Sequence, residues 1–373
     1  MATKGGTERM IAEKANYLSE QFGYDVTIIT CFQLPNETNF FYTSPKIRQI
    51  NLHIPYFKQY KYKYPKRLWV KWQMNRLLRK RIHQYVNQID PDIIIGVSRF
   101  KAHYISKIKC RAKKVIECHV VKFNTLYFNE GNRSFLFRTF IQIYNYIYFR
   151  TIENYADTIV TLTEEDKLLY KRAKRKLAIP NFSTMRISQY SDCTQKRIIA
   201  VGHLIWGKGF DRLIKIWKMV STKHPDWHLD IFGEGYMYDT IMAHIKNDNT
   251  NNVTIHKCTS DISQEYAQSS ICAITSYYEG FSLVALEAMR HGVPCVAFDC
   301  PFGPRTIINH GQCGFLVEND DIRCFSDKLC LLIENKKLRY MFSKAAIKQA
   351  KNFDIDIIMN KWKALFEELA YCQ

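Results

Sequence analysis

Short apolar runs alternate with amphipathic stretches along the chain, and this alternation predicts an α/β fold. Residues 90–97 and 114–118 read as strands of the N-terminal half, since apolar runs of this length are typical of parallel strands buried on both faces. Beyond residue 196 the alternation is regular and predicts a parallel sheet, with ligands bound at the carboxyl ends of its strands. The strands predicted there are 197–201, 227–232, 253–256, 270–276, 293–298 and 314–317.

The chain of 373 residues is long enough for two domains that each bury a core. The first domain is predicted at 1–185 and the second at 197–352, with the polar run 189–196 as a linker. Residues 353–373 are predicted as a separate C-terminal helical segment.

The stretch 276–294 predicts a strand, a loop and a helix that begins near Ser282 and stops before Gly292. At such a junction the first backbone N–H groups of the helix and its positive end form an anion site. We expect the N–H groups of 281–283 to bind an anionic phosphate, and Gly280 to let the ligand approach the chain closely. Glu287 lies on the helix face that leans back toward the loop, among apolar neighbours. The alternative is a solvent-facing Glu287 paired with His291. The anion-site residues predicted at the helix start are Gly280, Phe281, Ser282 and Leu283.

Two glycine-bearing loops follow predicted strands of the second domain. The first loop, 202–209, places Lys208 between two glycines, where a fixed cation can stabilise a leaving diphosphate. The second loop is Gly233-Glu234-Gly235. The spacing from Gly202 to Lys208 also matches most of a phosphate-binding P-loop, but Gly209 stands where that motif needs a serine or threonine for magnesium.

These motifs closely resemble those of retaining glycosyltransferases of the GT-B type, family 4 (glycosyl transferases group 1). The resemblance is carried by Glu279-x7-Glu287 on its strand, loop and helix, by Lys208, and by the N-terminal Gly5-Gly6-Thr-Glu8-Arg9. It implies two Rossmann-like domains whose parallel sheets face a central cleft, with the helix 353–373 crossing back onto the first domain. It also implies transfer from a nucleotide sugar with retention at the anomeric carbon, and no requirement for a metal.

The resemblance also implies roles for individual residues. Glu279 would hold hydroxyl groups of the donor sugar, Glu287 the ribose, and Lys208 the diphosphate. His119, which follows the strand 114–118, would reach the donor sugar. The remaining donor-binding positions that the resemblance implies are Gly5, Gly6, Gly202, His203, Gly233, Glu234 and Gly235.

Two features depart from the family pattern. His203 stands where the family has an arginine, so an imidazole replaces a permanently charged guanidinium. Arg212 or Arg305 is the expected compensating cation. The sequence also starts only four residues before Gly5, so the first strand of the N-terminal sheet is expected to be missing. Either the start is internal to a longer chain or the sheet lacks that strand.

A formal charge of +19 calls for an anionic partner. No acidic residue lies between Glu37 and Asp90, and within this stretch residues 57–82 mix cations with tyrosine and tryptophan. Three readings of 57–82 stay open. It docks on an anionic membrane surface, it binds single-stranded nucleic acid, or it forms a helix whose apolar stripe packs on its own domain. The predicted stripe consists of Leu68, Trp72, Leu77, Leu78, Ile82 and Val86.

The composition of the chain bears on its cellular location. No apolar run has the length of a membrane span, the N-terminus lacks a signal-peptide core, and the twelve cysteines show no metal-ligand spacing. We therefore expect reduced cysteines, a cytoplasmic location and peripheral association with the inner face of the plasma membrane. The predicted function is transfer of a sugar, UDP-sugar favoured, to a saccharide or lipid-linked saccharide in bacterial surface polysaccharide or lipopolysaccharide synthesis. The alternatives are a basic nucleic-acid-binding α/β protein and a P-loop-like nucleotide-binding protein.

Overall fold

The computed structural model describes residues 5–33, 39–98, 101–122, 135–259 and 261–371, with side chains from residue 139 onward in the segment that starts at 135. The chain divides into two compact units, and the main division falls between Ile179 and Pro180. Unit 1 comprises Met1–Thr161, Lys167–Ile179 and Met359–Gln373. Unit 2 comprises Leu162–Asp166 and Pro180–Ile358.

Unit 1 alternates helices with parallel strands, as its apolar runs predict. Strands β1 and β2 form one parallel pair, and β3, β4, β5 and β6 form a second parallel sheet in that order. Helix α4 packs Phe149 and Ile152 against Ile116 and Ile159 of that sheet. The elements are α1 (Gly6–Glu20), β1 (Thr27–Thr30), β2 (Arg48–Asn51), α2 (Lys66–Ile89), β3 (Ile93–Val97), α3 (Ala102–Ile105), β4 (Lys113–Cys118), α4 (Phe135–Tyr155), β5 (Thr158–Thr161), α5 (Glu164–Leu168, divided between the units) and β6 (Lys176–Ala178).

The predicted absence of a first strand bears on the start of the chain, where residues 1–4 lie outside the described residues. The first described element is the helix α1, and the first described strand, β1, follows it. Within the described part of unit 1, the β1–β2 pair and the β3–β6 sheet are separate ladders.

Helix α2 covers the basic aromatic stretch, and its buried side differs from the predicted stripe. Val70, Leu78 and Val86, spaced eight residues apart, are the buried apolar residues of the helix. Leu78 packs against Leu52 and Ile54 just beyond the adjacent pair of strands. The predicted stripe is confirmed at Leu78 and Val86 and was wrong at Leu68, Trp72 and Leu77, which are exposed. Met74, Ile82, Tyr85 and Ile89 are partly buried in the same cluster as Leu78. The apolar and aromatic residues of α2 that face solvent are Leu68, Trp69, Trp72 and Leu77, in the first half of the helix.

Unit 2 contains one six-stranded parallel sheet in the order β12-β11-β10-β7-β8-β9. The order reverses at β7, which has β8 on one side and β10 on the other, and such a switch point opens a crevice at the carboxyl ends of the two strands. The elements are β7 (Arg197–Val201), α6 (Phe210–Lys223), β8 (His228–Phe232), α7 (Tyr238–Asn247), β9 (Val253–His256), α8 (Ile262–Ala267), β10 (Ile271–Ile274), α9 (Leu283–Arg290), β11 (Cys295–Phe298), β12 (Gly314–Val317), α10 (Ile322–Glu334), α11 (Lys336–Ala350) and α12 (Ile355–Tyr371, whose residues from Met359 belong to unit 1).

Both faces of this sheet are covered by helices, which explains its uninterrupted apolar strands. Trp217 of α6 and Phe325 of α10 are fully buried on one face, and Leu286 and Met289 of α9 are buried on the other. The polar run 189–196 is anchored to unit 2, because the Ser191 Oγ donates to the Ser269 carbonyl at 2.5 Å.

Leu77 and Leu78 test the register of α2, because they are adjacent, chemically identical and differently buried. Leu78 is 0% exposed and Leu77 is 36% exposed. Leu78→Ala should lower the free energy of unfolding by about 2–5 kcal/mol, since it removes buried methyl groups and leaves a cavity. Leu77→Ala should cost less than about 1 kcal/mol. Denaturant titration of both variants measures the difference, and equal losses would show that the helix is rotated from the described register.

Candidate functional site

The loops that follow β7 and β10 meet at the switch point of the unit 2 sheet. The Lys208 Nζ donates to the Glu279 Oε1 at 2.6 Å, and the Ser276 Oγ donates to the same oxygen at 2.7 Å. The Glu279 side chain is 10% exposed and that of Lys208 is 25% exposed. Two residues 71 positions apart, both predicted as site residues, are therefore in direct contact.

Glycine permits the close approach of these loops. Gly209 has a φ of +65°, and a Cβ there would lie 2.0 Å from the Thr275 carbonyl oxygen, so a side chain would separate the two loops. Gly233 and Gly235 pack in the same way against the first loop, where a Cβ would lie 1.9 Å from the Gly202 oxygen and 2.3 Å from the Leu204 oxygen. The Leu204 N–H donates to the carbonyl of Glu234, whose side chain is exposed. Both predicted glycine loops thus border the same crevice.

The backbone at 302–303 packs closely against Glu279. A Cβ on Gly303 would lie 2.4 Å from the Glu279 Cβ, and Phe302 forms a parallel β-bridge with Glu279. The sequence predicts only a turn at 303–305. Neither the contact of Gly303 nor that of Ser276 with Glu279 could be found from spacing, since both depend on how the loops fold together.

Helix α9 begins where its sequence predicts, directly after Ser282. Ser282 is the residue before the first turn, and it makes no side-chain cap hydrogen bond. Within the described residues its buried Oγ has no hydrogen-bond partner. The Leu283 N–H donates to the Phe281 carbonyl at 3.0 Å. The donors left unused at this positive helix end are therefore the Ser282 hydroxyl and the N–H groups that follow Leu283 in the first turn. Phe281 is buried and packs edge-on against Phe353. Gly280 lies in the loop between Glu279 and this turn.

Glu287 is buried on α9, 7% exposed. Burial, and then the neighbouring Glu287 carboxylate, raise the pKa of Tyr266 well above its usual value. The alternative of a solvent-facing Glu287 paired with His291 is wrong, because the His291 Nδ1 lies 2.8 Å from the backbone carbonyl oxygen of Glu287. The buried carboxylate therefore lies beside a tyrosine hydroxyl.

The two arginines expected to compensate for His203 are engaged elsewhere. Arg212 is 2% exposed, and its guanidinium donates to the carbonyls of Thr275 and Ser276, at 2.6 Å each. Arg305 forms a two-pronged pair with Asp299, at 2.8 and 2.7 Å. Arg212 thus supports the loop that carries Glu279, and Arg305 is part of a surface ion pair.

His203 itself is exposed in the first loop. Trp206 of the same loop stacks on Tyr277 with ring centroids 4.6 Å apart, and the Tyr277 hydroxyl donates to Asp211 at 2.9 Å. Burial, followed by Asp211, raises the pKa of Tyr277 to about 12, so the hydroxyl stays protonated. This stack fixes the loop between His203 and Lys208.

The site residues predicted in unit 1 lie in two places. Gly5 and Gly6 form the start of α1, where a Cβ on Gly5 would meet the Glu8 carboxylate. His119 follows β4, and its Nε2 lies 3.2 Å from the Glu117 Oε1. Burial alone would raise the pKa of Glu117, but the buried Lys14 ammonium and His119 hold it at about 2. His119 is thus held by an ionised carboxylate.

Two features are absent from the part of the chain that the structure describes. There, no helix combines the length and apolar character needed to cross a bilayer. In the same part, no three His, Cys, Asp or Glu side chains gather in a way that could hold a metal ion.

Comparison with known proteins agrees with the fold. Residues 182–349 match the family described as glycosyl transferases group 1, and residues 4–179 match glycosyltransferase family 4. An uncharacterized glycosyltransferase of Haemophilus influenzae is 30% identical over 98% of this chain and 97% of its own length. The amylovoran biosynthesis glycosyltransferase of Erwinia amylovora is 27% identical over 97% of this chain and 96% of its own.

Among solved structures, Anabaena HepE in complex with UDP superposes with a TM-score of 0.73, covering 99% of this chain and 98% of its own at 15% identity. At that identity the likeness concerns the fold alone, and it is the fold of two Rossmann-like units. The family assignment replaces the nucleic-acid-binding and P-loop alternatives. The chain belongs to the group 1 glycosyltransferases of the GT-B fold, and it is a transferase.

Proposed function

We propose that this glycosyltransferase moves a sugar from a nucleotide-sugar donor to a saccharide or lipid-linked saccharide, with retention at the anomeric carbon. The observation that carries the proposal is the contact between Lys208 and Glu279 at 2.6 Å, in the crevice that also receives the start of α9. A cation, a carboxylate and a free helix N-terminus are the groups that a sugar diphosphate requires.

The chemistry follows from charge. As the bond between sugar and diphosphate breaks, negative charge grows on the leaving phosphate, and prearranged donors stabilise it. The start of α9 supplies about half a positive elementary charge together with its unpaired N–H groups and the Ser282 hydroxyl. Lys208 supplies a full positive charge. Glu279, held by Lys208 and Ser276, is left to accept hydrogen bonds from hydroxyl groups of the donor sugar.

The other assignments rest on the resemblance and on the relatives. Glu287 is proposed to hold the ribose, and His119 to contact the donor sugar. A UDP-sugar is favoured, and the UDP bound to Anabaena HepE supports this choice. The amylovoran enzyme of Erwinia amylovora supports a place in bacterial surface polysaccharide synthesis. Transfer is proposed to proceed without a metal.

Lys208→Ala should lower kcat/KM for transfer or hydrolysis of the donor by about a hundredfold or more, because it removes the full positive charge at the leaving phosphate. His203→Arg should leave the rate unchanged or raise it, since it restores a permanent cation in the same loop. Both variants are compared with wild type in a screen of nucleotide sugars, with the anomeric configuration of the product read by NMR.

Lys215→Ala serves as the matched control, because Lys215 is an exposed lysine on the helix that follows Lys208. It should keep the wild-type rate. Gly303→Ala, which pushes Glu279 without touching a ligand, should also slow the reaction. A Lys208→Ala enzyme with the activity of the control would remove Lys208 from the site, and inversion of the anomeric carbon would refute retention.

We further propose that unit 1 associates peripherally with an anionic membrane on its cytoplasmic face. Trp69 and Trp72 are 56% and 52% exposed on α2. The Arg76 guanidinium lies 5.8 Å from the Trp72 ring centroid. Exposed tryptophan beside cations suits the headgroup region of a bilayer, where each basic residue contributes about 1 kcal/mol.

Removal of both tryptophans, Trp69→Ala with Trp72→Ala, should reduce flotation with vesicles that contain phosphatidylglycerol, because it removes the apolar part of this surface. The control is Tyr340→Ala with Met341→Ala, two exposed large residues of unit 2. Flotation that is independent of anionic lipid, or equal loss in both double variants, would contradict the membrane proposal.

A further inference from the structure

A cavity in unit 1 is lined by residues that the proposed donor site does not use. It has a volume of about 390 Å³ and opens between the second half of α2 and the segment that contains α3. This volume is in the range of small-molecule sites. The residues that line the cavity are Arg79, Ile82, His83, His103, Tyr104, Lys107, Ile108 and Lys109.

The lining is cationic without any carboxylate. Arg79, Lys107 and Lys109 are exposed, and within the described ranges no acidic side chain pairs with them. Nearby Arg111, by contrast, pairs with Asp90 at 2.9 Å. Like charges that converge on one concave surface repel each other unless an anion joins them, so the cavity is suited to a negatively charged ligand.

His103 adds a donor or acceptor rather than charge. Burial lowers the pKa of His103 to about 4, and the cations Lys101, Lys107 and Arg79 act in the same direction. The buried Nδ1 of His103 has no hydrogen-bond partner among the described residues. The second histidine of the lining, His83, has its Nδ1 3.2 Å from the Asn87 Nδ2.

The groups that line the cavity favour a phosphate group over a smaller anion. The Arg79 guanidinium stacks over the Tyr104 ring at 4.8 Å, which orients its planar fork. A guanidinium with two ammonium groups matches the charge and the several oxygens of a phosphate group. Ile82, Ile108 and the Tyr104 ring provide apolar surface for the organic part of the ligand.

The cavity also lies in line with the exposed aromatic face of α2. Trp72, Arg76, Arg79 and His83 follow each other at helical spacing, so they share one face. Arg79 is about 10 Å along the helix axis from Trp72. A phosphate at the surface of a bilayer that holds Trp72 would therefore be within reach of the cavity.

We propose that this cavity is a binding site for the phosphate group of an organic phosphate, either a phospholipid headgroup or the phosphate of a phosphorylated acceptor. None of the residues that line the site belongs to the donor loops, and its acceptor alternative rests on the proposed transfer function. It gives unit 1 a defined contact with a phosphorylated surface or acceptor, in addition to its diffuse positive charge.

Isothermal titration calorimetry with glycerol 3-phosphate tests the site directly. The triple variant Arg79→Gln, Lys107→Gln, Lys109→Gln should bind it about tenfold or more weakly than wild type, because three charge-assisted contacts are lost. The control variant Lys215→Gln, Lys218→Gln, Lys246→Gln removes the same charge from exposed positions of unit 2 and should bind as wild type does. Thermal melting of both variants verifies that they fold.

A vesicle-binding experiment distinguishes the possible sources of the phosphate group. If glycerol 3-phosphate fails to bind, but the triple variant alone loses binding to phosphatidylcholine vesicles containing phosphatidylglycerol, the ligand is a lipid headgroup and the proposal holds. Equal binding of both probes by the two triple variants overturns it, as does wild-type protein that binds neither. Loss of oligonucleotide binding alone also overturns it, in favour of nucleic acid. If Lys208→Ala abolishes phosphate binding and the Arg79 triple variant retains it, the anion binds at the donor loop. That result refutes this site but is consistent with the proposed transferase.

Discussion

The ion pair between Lys208 and Glu279 is the interaction on which the proposed donor site depends. It joins the loop after β7 to the loop after β10, two strands that neighbour each other in the sheet but are far apart along the chain. Gly209 allows the two loops to approach each other, and Gly303 leaves room for the Glu279 side chain. Arg212 donates hydrogen bonds to carbonyls of the second loop. In a partly desolvated crevice such a pair keeps both side chains oriented before a ligand arrives.

Much of unit 2 could be predicted from the sequence, because its signals are local. Apolar runs mark buried strands, and a serine before an apolar helical stretch marks the start of α9. Lys208 and Glu279 could be selected through their loops and through the resemblance. The contacts of Ser276 and Gly303 with Glu279 could not, because these residues meet only when separate loops fold against each other. Arg212 and Arg305 were expected to compensate for His203, but local sequence does not reveal which carbonyl or carboxylate each arginine will contact.

Unit 1 shows how one helix can carry two surfaces. The stripe that the spacing of its apolar residues predicted is right at Leu78 and Val86, but α2 exposes Leu68, Trp72 and Leu77 and buries Val70. Periodicity alone left several registers open, and packing against the apolar residues that follow β2 selected one of them. The consequence is an exposed face rich in tryptophan and arginine that ends at a cationic cavity. Part of the excess positive charge lies along this helix, next to the surfaces proposed for membrane contact and for phosphate binding.

The central claim is that a nucleoside diphosphate is held by Lys208 and by the start of α9, and a crystal structure of the protein soaked with UDP tests it most directly. The account predicts the diphosphate oxygens within hydrogen-bond distance of the Lys208 Nζ and of the N–H groups around Ser282, with Glu279 still between Ser276 and Gly303. A diphosphate bound away from the start of α9, with Lys208 making no contact to it, would contradict the account.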